Sequence, residues 1–328
     1  MKKIQWGIIG CGDVTEKKSG PAFNKVDSSR LAAVMRRDER KVRDYARRHG
    51  VAKWYTDARQ LIEDDEVNAI YVATPPLYHE QYTLMALNAG KPVYVEKPMA
   101  ISVAAAENMM AASRKTGSKL SIAHYRRQQP FFQQLKSLLD NEAIGKTRVV
   151  NMKLFQGTQP GLVAQTEVNW RVHPEISGGG LFHDLAPHQL DLMLYFFGTP
   201  NEFHGISTNQ AGLYQADDVV TGYILFEKSI IFNGVWCFTV SPNNESDMCE
   251  ILGSQGSIRF SIFKPQTIEL TINSGDDVLA FESLEHVQQP MIEAVVKYFL
   301  DEGPNPCSAE EGVQTMRLIE SFTKRNKS

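Results

Sequence analysis

The first third of the chain alternates short, almost wholly apolar runs with longer stretches whose apolar residues recur at helical spacing. The runs fall at residues 4–9, 31–35, 69–73, 92–95 and 119–123. The helical stretches between them fall at 39–49, 58–64, 79–88 and 103–116, and Gly50, Gly90 or Gly117 follows several of them. A strand with no polar side must be covered on both faces, and right-handed crossover helices are the usual way to cover it. A glycine just past a helix suits the left-handed residue that ends it. This pattern predicts an α/β fold built on a parallel sheet.

After about residue 123 the texture changes. Segments 218–226, 230–240, 250–252 and 257–263 alternate apolar and polar residues and are joined by short turns, Glu227-Lys228-Ser229 and Gly253-Ser254-Gln255-Gly256. Direct turns between alternating strands read as a mainly antiparallel open sheet. Helical spacing recurs at 130–140, 182–197, 290–300 and 309–325. At 328 residues the chain is close to the upper limit of a single core. The expected organisation is therefore an α/β domain over 1–123 and an α+β domain over 124–328. The terminal helices are expected to pack back on the first domain.

Charge narrows the partners. With 35 basic and 38 acidic residues the net charge is -3, which offers no general attraction to nucleic acid or an anionic membrane. The start, MKKIQWGIIG, superficially resembles a signal peptide, but its apolar run is short and flows straight into Gly10-Cys11-Gly12, so it reads as a first strand. No segment approaches the roughly 20 apolar residues that cross a bilayer. Four scattered cysteines form no CxxC pair, which points away from a zinc site or a disulfide framework and toward a reducing cytoplasm. No metal-ligand set emerges.

Gly10-Cys11-Gly12-Asp13-Val14-Thr15 follows the first strand directly, where a dinucleotide fold needs a tight turn and close backbone approach to a pyrophosphate. Thr15 stands where a third glycine is usual. Residues 16–21 then read as a lengthened turn before a helix over 22–26. At the end of the second strand an NAD enzyme usually carries an acid for the ribose hydroxyls, but this chain has Met35-Arg36-Arg37-Asp38. Paired guanidiniums suit a 2′-phosphate, which predicts NADP with NAD as the alternative. Arg36 and Arg37 also open a basic stretch through Arg40, Lys41 and Arg43 that reads as a solvated face. Thr74, Pro75 and His79 follow another strand and are placed for cofactor contact, although His79 also suits a helix start.

The segments GCGDVT, AVMRRD, ATPP with His79, VYVEKP and GGGLFHDLAPH occur in the order seen in the Gfo/Idh/MocA oxidoreductases, and the chain resembles that family over most of its length. The resemblance implies a Rossmann domain followed by an α/β domain whose open sheet mediates oligomerisation, here as a homodimer or homotetramer. It implies hydride transfer between NAD or NADP and a sugar, cyclitol or related carbonyl compound. Lys97 matches the family's catalytic lysine, and Asp184 and His188 match its aspartate and histidine. Glu96 precedes the lysine beside the cofactor, and Lys97-Pro98 is expected to hold a cis peptide bond. Tyr125-Arg126 and Trp170-Arg171 resemble segments that approach the substrate, alongside Lys97 and His188. Departures lie at Thr15 and at Ala186-Pro187, where glycine and a variable residue are common.

The chemistry suits these residue types. Oxidising an alcohol carbon requires a positioned acid or base for its hydroxyl proton. Imidazole titrates near neutral pH, and Asp184 stands four residues before His188, on the same helix face, with Asp191 the other nearby carboxylate. The Lys97 ammonium suits stabilisation of the developing alkoxide or transfer of the proton itself. Two alternatives remain open: glycoside cleavage by transient oxidation with retained cofactor, and a non-catalytic NADP-binding sensor.

Overall fold

Six parallel strands form the first sheet, in the order β3-β2-β1-β4-β5-β6. The structure is a computed structural model that describes residues 3–158, 161–162 and 169–323. Two compact units are distinguished, Met1–Gln129 with Leu284–Met316, and Pro130–Ser283 with Arg317–Ser328.

In the first unit, β1 (Ile4–Ile9) leads into α1 (Asp13–Lys17) and a 3-10 turn (Pro21–Asn24). There follow β2 (Ser29–Met35), α2 (Glu39–Arg48), β3 (Lys53–Tyr55), α3 (Ala58–Glu63) and β4 (Ala69–Val72). A second 3-10 turn (Pro76–Tyr78) opens α4 (His79–Asn88), then come β5 (Val93–Val95), α5 (Val103–Thr116) and β6 (Leu120–Ile122). Every residue of β4, β5 and β6 is buried, which is why these strands read as unbroken apolar runs. Asp38, Asp57 and Ser102 cap α2, α3 and α5 through their side chains, and Gly117 takes the left-handed position after α5 with φ 70°.

The sheet order places the topological switch between β1 and β4. The chain runs outward from β1 through β2 to β3, then returns to β4 on the other side of β1. Ligands of open α/β sheets bind in the crevice beyond the strand ends at such a switch.

The expected long turn after Gly12 is corrected. A helix starts at Asp13, because Thr15 Oγ1 accepts from the Gly12 amide at 2.9 Å and donates to the Gly12 carbonyl at 2.8 Å. The helix expected over 22–26 is the short 3-10 turn instead.

In the second unit, α6 (Pro130–Asp140) precedes β7 (Thr147–Phe155), α7 (Pro174–Ser177) and the 17-residue α8 (Leu181–Phe197). The remaining strands are β8 (Pro200–Thr208), β9 (Val219–Phe226), β10 (Ile231–Cys237), β11 (Ser246–Gly253), β12 (Gly256–Phe260), β13 (Thr267–Ile272) and β14 (Gly275–Ala280). With β7 they form an eight-stranded sheet ordered β14-β13-β12-β11-β7-β10-β9-β8. Among the described residues only β7 and β10 pair in parallel in this sheet. α8 covers one face, where Phe182 meets Trp236 edge-on at 5.0 Å and the Trp236 indole N–H donates to Gln189 Oε1 at 2.6 Å. On the opposite face Tyr223, Ile231 and Val235 are exposed.

Two helices close the chain, α9 (Gln289–Phe299) and α10 (Ala309–Thr323), and the expected continuation of the latter to 325 lies outside the described residues. α9 packs in the first unit, against the turns Pro21–Asn24 and Tyr125–Gln128. Among the described residues no helix is long and apolar enough to cross a membrane.

Candidate active site

Gly10 occupies the switch crevice, with φ at +95°. A Cβ there would stand 2.8 Å from the backbone nitrogen of Thr74, so glycine is the residue that lets the end of β1 meet the end of β4. Nothing stands closer than 3.8 Å to the corresponding point on Gly12, which leaves its backbone open to close approach. The nearest atom there is Arg36 Nη1, which donates to the Cys11 carbonyl at 3.1 Å. Asp13 and Val14 form the first turn of α1 beyond this cradle. The open glycine backbone and the helix start fit the pyrophosphate portion of a dinucleotide.

Arg37 diverges from Arg36. It is exposed, and its guanidinium carbon lies 4.7 Å from the ring centroid of Tyr78 in the turn after β4. The two arginines thus bracket the crevice from the end of β2. Cys11 is buried beneath, and burial pushes its thiol up to about 12, so it remains protonated and unreactive.

His79 is fully buried. Its Nδ1 lies 2.9 Å from the Pro98 carbonyl and its Nε2 lies 2.7 Å from the Thr74 carbonyl. The ring therefore clamps the loop after β4 to the loop after β5. Burial lowers its pKa, and the two carbonyls oppose that shift by favouring the protonated ring. Thr74 and Pro75 are half-buried at the rim of the same loop.

Between Val93 and Ala100 every residue except Lys97 is buried. Glu96 is among them, and its carboxylate is fully engaged. Oε1 accepts from the Tyr71 hydroxyl at 2.5 Å and from Gln288 Nε2 at 2.7 Å, while Oε2 accepts from the Lys97 amide at 3.1 Å. The Lys97-Pro98 peptide is cis. Glu96 is held by partners within the first unit, whereas Lys97 is only half-buried. Tyr125 and Arg126 follow β6 and are also buried, with the Arg126 guanidinium carbon 5.6 Å from the Tyr125 ring centroid.

The second unit carries the other candidates. α8 begins after Gly178-Gly179-Gly180, where Gly180 has φ +91° and a Cβ would stand 2.3 Å from the Ala216 Cβ. Asp184 lies in the first turn of α8 and receives Arg171 Nε at 3.0 Å. The Arg171 guanidinium carbon lies 4.4 Å from the Trp170 ring centroid. These three residues, with buried His188 one turn after Asp184, are built on two adjoining segments of one unit. His188 contacts the Phe263 ring edge-on at 5.8 Å. Nearby His183 is buried, and burial lowers its pKa to about 4.

Sequence reasoning did not anticipate the Arg171–Asp184 pair, nor Tyr71 and Gln288 beneath Lys97. A tyrosine in an otherwise aliphatic strand was the available signal for Tyr71, since a buried hydroxyl requires a partner. Among the described residues no group of three or more His, Cys, Asp or Glu side chains is arranged to hold a metal ion.

A doubly wound sheet with a glycine turn at its switch, followed by a mainly antiparallel open sheet, defines a dinucleotide-binding oxidoreductase architecture. Residues 4–124 match the model described as an oxidoreductase family with an NAD-binding Rossmann fold, and residues 132–259 match the GFO/IDH/MocA C-terminal domain. Oxidoreductase P35 of Formosa agariphila is 46% identical over 320 residues, which cover 98% of each chain. The chain belongs to the Gfo/Idh/MocA family of oxidoreductases. It is also similar to a 1,5-anhydro-D-fructose reductase of Ensifer adhaerens, with 26% identity across 77% of this chain and 74% of the relative. The solved aldose-aldose oxidoreductase of Caulobacter crescentus shares the fold with a TM-score of 0.86, at 22% identity across 98% of this chain and 96% of the other.

Proposed function

We propose that this protein is an NADP-preferring dehydrogenase or reductase of CH–OH groups on sugars, cyclitols or related ketones. The observation that carries the reading is Lys97, the one side chain not buried between Val93 and Ala100, at the strand end where such sheets receive ligands. Its ammonium stabilises the alkoxide that forms as the hydroxyl loses its proton and that becomes the carbonyl as hydride leaves the carbon for the nicotinamide. His188 exchanges the hydroxyl proton with it, and the Asp184–Arg171 pair fixes the start of the helix that carries His188. The family resemblance assigns Trp170, Tyr125 and Arg126 to substrate contact. The reductase name of the Ensifer adhaerens relative supports a sugar-like substrate.

NADP preference rests on Arg36 and Arg37, because a 2′-phosphate offers each a charge-assisted bond that a ribose hydroxyl does not. The decisive experiment is a cofactor-reduction screen over sugars, inositols, sugar acids and anhydro-sugars, with NAD and NADP in parallel. Reduced cofactor released in proportion to oxidised product supports the dehydrogenase. Substrate cleavage without net reduction points to transient oxidation, and NADP binding without turnover points to a sensor.

The exposed face of the second sheet supports assembly as a homodimer or homotetramer, with Tyr223, Ile231 and Val235 at the contact. A monomer by light scattering at working concentration would reject it. The cytoplasm is the proposed location, supported by four free cysteines and the need for a soluble nicotinamide pool.

A further inference from the structure

Gln288 is the N-cap residue of α9, yet its side chain makes no capping bond. Only 1% exposed, it reaches instead to Glu96 Oε1 at 2.7 Å. Its amide orientation is fixed by the carboxylate, which only accepts and so takes the amino group, leaving Gln288 Oε1 to accept from the Tyr94 hydroxyl at 3.3 Å. Reversing the amide would set two acceptors together in a buried site.

The Glu96 carboxylate accepts from three donors: the Tyr71 hydroxyl, the Gln288 side-chain amide and the Lys97 backbone N–H. A buried carboxylate retains its place only while its lone pairs are satisfied. Tyr71 and Gln288 hold one oxygen, which leaves the other aimed at the backbone of Lys97. The same network touches the far side of the crevice. Ser19 Oγ lies 3.1 Å from the Tyr71 hydroxyl, and the Gln288 backbone N–H donates to the Lys18 carbonyl just beyond α1. Tyr71 and Tyr94, stacked with ring centroids 5.2 Å apart, wall the site with aromatic surface.

We infer that Gln288 is a positioning residue for Lys97, acting through the Glu96 carboxylate. This rests on the reading of Lys97 as the catalytic ammonium. Gln288 contributes no group to the reaction. It fixes where the carboxylate stands, and the carboxylate fixes where the lysine leaves the strand.

Gln288→Leu and Gln288→Glu test this in the full-length protein. Leucine removes the donor at similar size. Glutamate donates to Glu96 only while the two carboxyls share a proton, since like charges in one buried site cannot both ionise. Turnover is measured with NADP and whichever polyol or ketose gives the wild type its highest rate, together with cofactor binding, thermal unfolding and amide exchange at Lys97. The expected result for Gln288→Leu is a kcat lower by about 10-fold or more, in keeping with a misplaced catalytic group, with substrate KM and cofactor binding nearly unchanged. Its Lys97 amide exchanges faster. Gln288→Glu keeps near wild-type turnover at acidic pH and loses it as pH rises, a limb absent from the wild type. Wild-type kcat and wild-type exchange at Lys97 in Gln288→Leu would overturn the inference, as would a fall in kcat that only tracks lost cofactor binding or lost fold. Full turnover in Lys97→Ala would instead sink the catalytic reading itself, whatever the exchange at Lys97 shows.

Discussion

Arg171 Nε stands 3.0 Å from Asp184 Oδ2, and both side chains are largely buried. The carboxylate one turn before His188 is thereby committed to a guanidinium on a neighbouring segment of its own unit. Removing one partner leaves an uncompensated charge away from water. Arg171→Met is expected to destabilise the protein by about 3 kcal/mol, read from the denaturant midpoint. The double variant Arg171→Met with Asp184→Leu should regain most of that stability and little of the turnover. Additive losses in the double variant would separate the two residues.

Lys97 has the opposite expectation. Lys97→Ala should leave thermal unfolding close to wild type, because the side chain is half-exposed, while lowering turnover by ~10²-fold as for other lost electrostatic stabilisers. Rates are compared at saturating cofactor. Unchanged turnover under those conditions removes Lys97 from the chemistry.

Arg36 and Arg37 should contribute unequally. Arg36 already lies against the glycine turn, whereas Arg37 rests on Tyr78. Arg36→Ala is expected to raise KM for NADP by about 10-fold or more and leave KM for NAD almost unchanged, the scale of one charge-assisted bond. Arg37→Ala should show a smaller rise. A parallel rise for both cofactors would place Arg36 at the pyrophosphate instead of the 2′-phosphate.

His183 sets an acid limit on stability. Burial depresses its pKa from 6.5 to about 4, with Asp217 exerting a smaller opposing influence. Above pH 6.5 the ring is neutral in both folded and unfolded chains and contributes no pH dependence. As pH falls from 6.5 toward 4 the unfolded chain binds a proton that the folded one resists, so stability declines, by about 3 kcal/mol in full. Urea midpoints across this range should fall less steeply in His183→Gln. Equal slopes would place the acid sensitivity elsewhere.

Legibility from sequence followed how each element is covered. β4 and β5 are buried on both faces, and β1 is buried except at Gln5, so these strands could be read almost to the residue. β3 was missed: its three residues, Lys53, Trp54 and Tyr55, are all partly exposed, so their character follows the surface. β7 was missed for a different reason. Val149 and Val150 are adjacent, one on each face, because the open face of this sheet is itself partly apolar and erases the alternation. β14 is exposed along nearly its whole length and reads as a polar loop. At the site, the glycine turn and Lys97 were legible because their neighbours in sequence explain them. Arg171–Asp184 and Glu96–Gln288 were not, because pairs brought together by folding leave no local spacing to read.

The separation of Gln288 from Glu96, 192 positions along the chain, governs how this protein can be cut and recombined. A fragment that stops at Gln129 contains the glycine turn, both crevice arginines and Lys97, yet lacks the amide beneath its own EKP loop. A single crossover with a homologous gene near residue 130 would pair one parent's Glu96 with the other parent's α9. Chimeras that preserve the native partners therefore require a second junction near residue 284, so that the tail travels with the head. Inheritance in this molecule is by hydrogen-bonded partnership, and a linear map of the gene shows only half of each pair.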